Sequence, residues 1–466
     1  GTGNHSYFYP SVSGSWIISE TFREQLPEWI SFAKVRGSWA QVGNDTDPYY
    51  VNQAYGFGTI ELPNGGNINT IMKASNLKPE RKNAWEIGLD FRTFKNRLNL
   101  DVTYYKENTK DQIMEIATPW VSGISTQLIN AGNIQNQGIE LALNTIPFQN
   151  EDWEWGLDFT WTKNTSKIVE LHPDAAEYIS LAGQVNAYDY RIGSVAKVGG
   201  SYGMLMTDIL PARDDQGRVL LNYSDTRRAV YERRSGVVQE LGDMQPDFLG
   251  SMSTSLRWKN LSLHVGLDMR IGGLVAMYSN RYGSNAGWTK TSLKYRDAAS
   301  GGLTWTSQYA GGSNGITYED GVILEGVFAP GTSATGIDGK SHDISGMTHQ
   351  QAIDAGIIEP THASAYHVFR NSWGEGVVND DWVHELSYIA LRDITLSYRM
   401  PKSIASKIGA KGLNLSLAAR NVGYIYNSLP NNVHPESVRG NRSAEFRIRG
   451  YEPYIRNYTF TINAEF

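Results

Sequence analysis

The residues best placed by type and spacing to do chemistry are four histidines, His342, His349, His362 and His367, which share one stretch with Asp343 and Asp354. Imidazoles and carboxylates in a cluster are ligands for zinc and related metals, but none of these spacings matches a known site, and solvated loop histidines account for the same residues. Asp214-Asp215-Gln216-Gly217 has the form of a calcium turn. The bidentate Glu that would complete a ligand loop is not at its place, so a polar hairpin tip is the simpler reading. With 48 Asp plus Glu in the chain, neighbouring carboxylates carry no hydrolase signal. No phosphate-cradling Gly-rich loop and no nucleophile elbow occurs. There is no cysteine, which excludes disulfides, thiolate metal sites and cysteine nucleophiles. The expectation is a chain that is not an enzyme, with no catalytic residue, no metal and no cofactor.

Aromatic residues carry more information. Trp153, Trp155, Trp161 and Trp258 fall on the apolar faces of alternating segments, where they read as an interfacial girdle. Trp288, Trp305, Tyr309, Trp373 and Trp382 fall instead in a long polar stretch. There they either pack that stretch against itself or a partner, or present flat faces to a ligand. Trp373 flanked by Arg370 and Asn371 is the best candidate for substrate binding, with Trp288 and Tyr309 beside it, because a planar apolar surface between multidentate donors suits a sugar or a peptide backbone.

The elements that must position these residues are strands. Aromatics make up 11% of the chain, charged residues only 19%, and Gly contributes 47 residues, a balance that favours strands and turns over helices. A net charge of −6 offers no footprint for a phosphate backbone, so nucleic acid is not an expected partner. No apolar run is long enough for a spanning helix, and Gly1 to Pro10 has no signal-peptide pattern, so the chain reads as an internal fragment.

Period-two alternation recurs along the chain. Trp153, Trp155, Leu157, Phe159 and Trp161 alternate with Glu154, Gly156, Asp158 and Thr160. Leu261, Leu263, Val265, Leu267 and Met269 alternate with Ser262, His264, Gly266, Asp268 and Arg270 in the same way. Each such strand has one dry and one wet face. The spacing predicts strands near 5–18, 32–43, 81–93, 97–108, 134–147, 152–166, 249–259, 261–272, 386–400, 412–422 and 455–466. Short turns alternate strictly with long loops near 44–80, 109–133, 167–248, 273–385 and 423–454, as in an outer-membrane barrel with turns inside and loops outside. Eleven strands left as an open sheet would have two exposed edges, so further strands are expected from sequence outside this chain.

Several segments resemble the SusC-like TonB-dependent transporters. They are Asn76-Leu77-Lys78-Pro79-Glu80 with Trp85 to Asp90, Asn96-Arg97-Leu98 with Asp101 to Tyr105, and Asn136-Gln137-Gly138-Ile139-Glu140-Leu141. Gly242-Asp243-Met244-Gln245-Pro246-Asp247-Phe248, Trp258-Lys259-Asn260, Arg270-Ile271-Gly272-Gly273, Ser387 to Tyr398 with Pro401, and Arg420-Asn421-Val422 follow in the family's order. Two departures stand out: His434-Pro435-Glu436 where the family often has Asp-Pro-Glu, and poorly matching spans at 167–240 and 276–380.

The resemblance implies an all-β transmembrane antiparallel barrel of twenty-two strands, of which residues 1–466 are the C-terminal half. It implies TonB-dependent import of oligosaccharides or peptides across the bacterial outer membrane. The expected partners are a SusD-like lipoprotein lid, the N-terminal half of the barrel with its plug, a TonB complex reached through that other sequence, and the lipid bilayer. Phe466 is expected to end the closing strand as the barrel assembly signal. A soluble all-β glycan-binding module or glycoside hydrolase is the alternative that the alternation alone leaves open.

Overall fold

In the computed structural model, residues 7–45, 71–73, 77–117, 126–172, 177–183, 185, 191–234, 237–310, 313–371, 379–438, 444–450 and 453–466 are described. Eleven strands form one antiparallel meander in which every strand pairs with its neighbours in sequence. They are β1 (Ser11–Ile17), β2 (Ile30–Asn44), β3 (Glu80–Thr93), β4 (Leu98–Ala117), β5 (Thr126–Gln149), β6 (Trp153–Glu170), β7 (Phe248–Trp258), β8 (Leu261–Ile271), β9 (Tyr388–Arg399), β10 (Gly412–Asn427) and β11 (Asn457–Glu465). A short segment, Ile71–Lys73, adds parallel to the start of β5. Among the described residues the outermost strands, β1 and β11, each pair on one side only.

The alternation is the reason for the sheet, and the register makes it continuous. Trp16, Val35, Leu89, Val102, Leu141 and Trp161 stand opposite one another from strand to strand across β1 to β6. A second row, Trp155, Leu256, Leu263, Leu396, Leu417 and Phe460, crosses β6 to β11. Most of these large side chains are exposed: Leu396 is 43% exposed, Leu417 57% and Phe460 64%. An apolar belt this wide cannot face water without driving association.

The opposite face is polar. Arg36 donates to both carboxylate oxygens of Asp101 at 2.8 and 2.9 Å and to the Thr103 hydroxyl at 2.6 Å. The guanidinium crosses β3 over Gly88, where an added Cβ would lie 2.6 Å from Cζ of Arg36. Tyr105 crosses Gly138 in the same manner to reach Asn164 at 2.9 Å. Asp158 accepts from Asn144 at 2.7 Å and from Ser253 at 3.1 Å.

Short turns lie at one end of the sheet. Phe94, Lys95 and Asn96 all have positive φ in the β3–β4 turn, and Asn150 accepts the N–H groups of Asp152 and Trp153 in the β5–β6 turn. Aromatic rings gather on the apolar face near this end: Trp153 stacks on Trp258 with centroids 5.7 Å apart, and Trp29 stacks on Phe94 at 5.9 Å. A second group, Trp85 with Tyr104 at 5.3 Å, lies further along the strands. From Phe94 to Trp85 is roughly 30 Å of strand, or about 20 Å along a membrane normal at ~45° tilt, close to the ~25 Å apolar band of outer-membrane barrels.

At the other end are the long connections, and two expectations change there. The loop expected over 109–133 is shorter, because β4 runs to Ala117 and β5 begins at Thr126. Asp111 and Gly132, both at positive φ, stand opposite one another between the pairs Lys110–Asn133 and Gln112–Ala131, so the ladder is interrupted there without a change of register. The great loops 171–247 and 272–387 carry folded structure of their own. Gln239–Asp243, Tyr202–Thr207, Ile192–Lys197 and Tyr178–Gly183 form a four-stranded sheet, and Leu220–Ser224 of the first loop pairs in parallel with Val327–Phe328 of the second.

Candidate functional site

The loops owe their order to shared cores. Leu221 and Ala229 of the first great loop pack with Val322, Phe328, Ile344 and Ile358 of the second. Ala182, Ile192 and Leu205 pack with Ala276, Tyr278 and, from the loop before β11, Phe446. Three loops thus form one cap over the polar face. Inside it His349 is fully buried, its Nδ1 accepting the Leu324 N–H at 3.0 Å. Burial pushes this imidazole down to about 4, since a charge there would lose its hydration. Arg281 is likewise buried, and desolvation lowers it to about 10.

Where the second great loop meets the last loop lies a cavity of about 510 Å³ lined by Trp288, Lys290, Asn431, Asn432, His434 and Tyr454 among others. Trp288 is held by its backbone, whose N–H donates to the Gly283 carbonyl at 2.7 Å, and the Thr289 hydroxyl accepts the Ser292 N–H at 3.3 Å to start the next turn. Its indole is nevertheless 85% exposed. On the facing wall Asn431 and Asn432 both adopt left-handed backbone, with φ 60° and 54°, a conformation asparagine tolerates better than most residues. Asn431 donates to the Asn280 carboxamide at 2.6 Å and so ties this wall to the helix Tyr278–Asn285.

Beneath the cavity runs a charged and aromatic chain. Arg392 of β9 donates to both oxygens of Glu436 at 2.8 and 2.7 Å and to Asp268 of β8 at 2.5 Å. The Tyr424 hydroxyl donates to Glu436 at 2.8 Å, and the rings of Tyr424, His434 and Tyr454 lie within 5.1–5.6 Å of one another. The last loop is therefore fastened to the polar face of the sheet through a bidentate ion pair.

An apolar belt outside, an ionic ladder inside, short turns at one end and a loop cap with a cavity at the other form one arrangement, and comparison with known proteins gives it a family. The family described as "TonB dependent receptor-like, beta-barrel" matches residues 1–231. TonB-dependent receptor P3 of Formosa agariphila is 22% identical over 99% of this chain and 42% of its own length. TonB-dependent receptor SusC of Bacteroides thetaiotaomicron is 22% identical over 57% of this chain and 28% of its own. The chain belongs to the TonB-dependent receptor family.

Its fold is also that of the RagAB peptide transporter, with a TM-score of 0.66 and 19% identity over 100% of this chain and 44% of that one. The chain spans about two-fifths of the length of receptor P3 and of that transporter chain. In such a receptor barrel the polar face of the sheet is the lumen wall and the apolar face meets lipid.

Of the residues expected to bind substrate, Trp288 and Tyr309 have described side chains. Arg370 and Asn371 lie at the end of the helix Ala363–Asn371, and Trp373 falls outside the described residues. Tyr309 is buried, its hydroxyl 2.8 Å from that of Tyr223 and its ring beneath the Arg227 guanidinium at 4.5 Å. Burial pushes both phenols up. Trp305 stacks on Tyr318 at 5.1 Å and Trp382 is buried, so these rings pack the cap. Trp288 faces open space in the cavity. Asn431, Asn432 and Tyr454 were not expected; the signal was the Pro430-Asn431-Asn432 triplet, a turn composition inside a loop.

The four histidines also part company. His342 bonds Asp338 at 2.8 Å, His362 bonds Asp320 at 3.1 Å, and His367 bonds the Lys294 carbonyl at 2.8 Å. Among the described residues no group of three or more His, Cys, Asp or Glu is placed to hold a metal. Asp214 accepts the Gln216 and Arg218 N–H groups at 3.0 and 2.8 Å and the Arg218 guanidinium at 2.8 Å. Its carboxylate is thus engaged as a hairpin-tip cap.

Proposed function

We propose that this chain is the C-terminal half of a bacterial outer-membrane importer that takes up oligosaccharides or peptides with energy delivered through a TonB complex. The observation that carries the reading is the pair of continuous apolar rows running from Trp16 to Trp161 and from Trp155 to Phe460 on one face of a sheet whose other face is lined with ion pairs. Lipid suits the first face and a hydrated conduit the second. The one-sided pairing of β1 and β11 fits strands from the other half of the barrel, which would also bring the plug.

A SusD-like lipoprotein lid over the cap is part of the same proposal, supported by the size and folded character of the loops. The long loops at the end of the sheet opposite the short turns then face outward from the cell. The test is genetic: deleting the full-length receptor, or its TonB system, should abolish growth on the imported nutrient, and a pull-down from native membranes should recover a lipoprotein. Recovery of the receptor alone removes the lid from the proposal.

A further inference from the structure

The cavity between Trp288 and Asn431–Asn432 has features that a cap packed only for stability would not need. The indole of Trp288 is 85% exposed although its backbone is locked from both sides. Gly287 before it sits at φ 80°, and Arg296 fixes that turn by donating to the Gly287 carbonyl at 3.1 Å. A large apolar plane is thus left exposed at a cavity, where leaving it wet forgoes the gain of burying it. Two successive left-handed residues form the opposite wall, and strained backbone of this kind concentrates at ligand clamps. Tyr454 lines the cavity, and its hydroxyl is buried without a hydrogen-bond partner among the described residues. A buried hydroxyl left unpaired costs free energy until something pairs with it.

We propose that this cavity is a saccharide subsite, with Trp288 as the stacking platform and Asn431, Asn432 and Tyr454 as hydrogen-bonding groups. The inference rests on the importer reading for its biological role and deepens it by naming the substrate class. A sugar ring offers an apolar C–H face and a rim of hydroxyls that each donate and accept. An indole plane matches the face, and carboxamides, which carry both a donor and an acceptor, match the rim. Lys290 at the edge adds a charged donor. An extended peptide is commonly gripped by the free edge of a strand. The named walls here come from the turn after the helix Tyr278–Asn285 and from the Pro430–Asn432 turn instead. The volume of about 510 Å³ lies within the ~300–1,000 Å³ of small-ligand sites.

The test uses the full-length receptor complex in detergent, immobilised and offered two mixtures at equal mass: partially hydrolysed plant, algal and animal polysaccharides, and a tryptic digest of casein. Retained material is identified by mass spectrometry for the native receptor and for Trp288→Ala, Asn432→Ala and Tyr454→Phe. These residues line the cavity, and heat-modifiable mobility checks that each variant is assembled. The expected result is retention of saccharide that falls at least tenfold in Trp288→Ala and severalfold in the other two. Peptide retained in a Trp288-dependent manner overturns the proposal, and so does saccharide retention that is absent or unchanged in Trp288→Ala. Growth of a receptor deletion strain on the same mixtures separates the two readings. Trp288-dependent binding with receptor-independent growth removes the importer and leaves the subsite, whereas receptor-dependent growth with Trp288-independent binding does the reverse.

Discussion

Nδ1 of His434 accepts the backbone N–H of Glu436 at 3.1 Å, the place a carboxylate oxygen would take in an Asx turn. This is how the chain accommodates histidine in its His434-Pro435-Glu436 triplet. The turn holds Glu436 in position for its bidentate bond with Arg392. His434→Asp is therefore expected to keep the last loop ordered, and His434→Ala to loosen it by about 1 kcal/mol, the usual cost of losing such a cap. Limited proteolysis near residue 434 in the assembled receptor distinguishes the variants. Equal cleavage in both would show that the imidazole does not support the turn.

Substitutions on the two faces of β8 and β9 should have opposite outcomes. Val265 lies in the apolar belt, paired with Ile394, whereas Thr395 lies on the polar face opposite His264. Val265→Arg places a charge in lipid at a cost of roughly 2–4 kcal/mol near the midplane, and Thr395→Arg remains in a hydrated lumen. Denaturant midpoints in detergent or liposomes measure this. An equal or reversed effect would mean that the faces have been assigned the wrong way round.

Gly88 should tolerate no side chain. A Cβ there meets the Arg36 guanidinium at 2.6 Å and would push it from Asp101, separating β2 from the charge it reaches on β4. Gly88→Leu is expected to lower the yield of heat-modifiable barrel more than Arg36→Met. The latter removes one half-exposed ion pair worth about 1 kcal/mol or less. Assembly of Gly88→Leu at the native level would show that the crossing is not required.

The cap should weaken in acid. Buried His349 titrates at about 4 in the folded loop, below the ordinary value of 6.5 that it regains when the loop opens. The opened loop therefore binds a proton first, so stability is full above about pH 6.5, falls as the pH drops toward 4, and changes no further below that through this group. The full difference is on the order of 3 kcal/mol. The protection factors of residues 320–360, corrected for the pH dependence of intrinsic exchange, should fall between pH 7 and pH 4.5 in the native receptor and much less in His349→Gln, which keeps an acceptor for the Leu324 N–H. A slope that persists in the variant assigns the effect elsewhere.

Phe466 follows the last residue of β11, and its backbone oxygen accepts from Lys411 at 2.8 Å. As the proposed assembly signal, its deletion should reduce folded barrel in the membrane by severalfold, with total synthesis unchanged. Unaltered assembly would restrict Phe466 to an ordinary end of strand.

The barrel strands were legible because period two is a local property: Leu261 to Ile271 shows its two faces without reference to any other part of the chain. The ends of β4 and β5 were not, since Asp111 and Gly132, both at positive φ, interrupt the alternation opposite one another. Nor was the cap, whose cohesion depends on contacts such as Leu221 with Phe328, made by residues far apart in sequence whose spacing obeys no period. The same long-range packing decided the aromatic candidates. Tyr309 is drawn inward by Tyr223 and Arg227 from another loop, while Trp288 stays exposed at the cavity. Chemistry could be read at the level of residue type, and placement required the fold.

The most direct test of the account measures the loss of mixed oligosaccharides and peptides from the medium of cells carrying the full-length receptor, by mass spectrometry, with and without a functional TonB system. The account expects a defined subset of these solutes to disappear only when receptor and TonB are both present. Uptake of every solute at the same rate in the receptor deletion strain would contradict it.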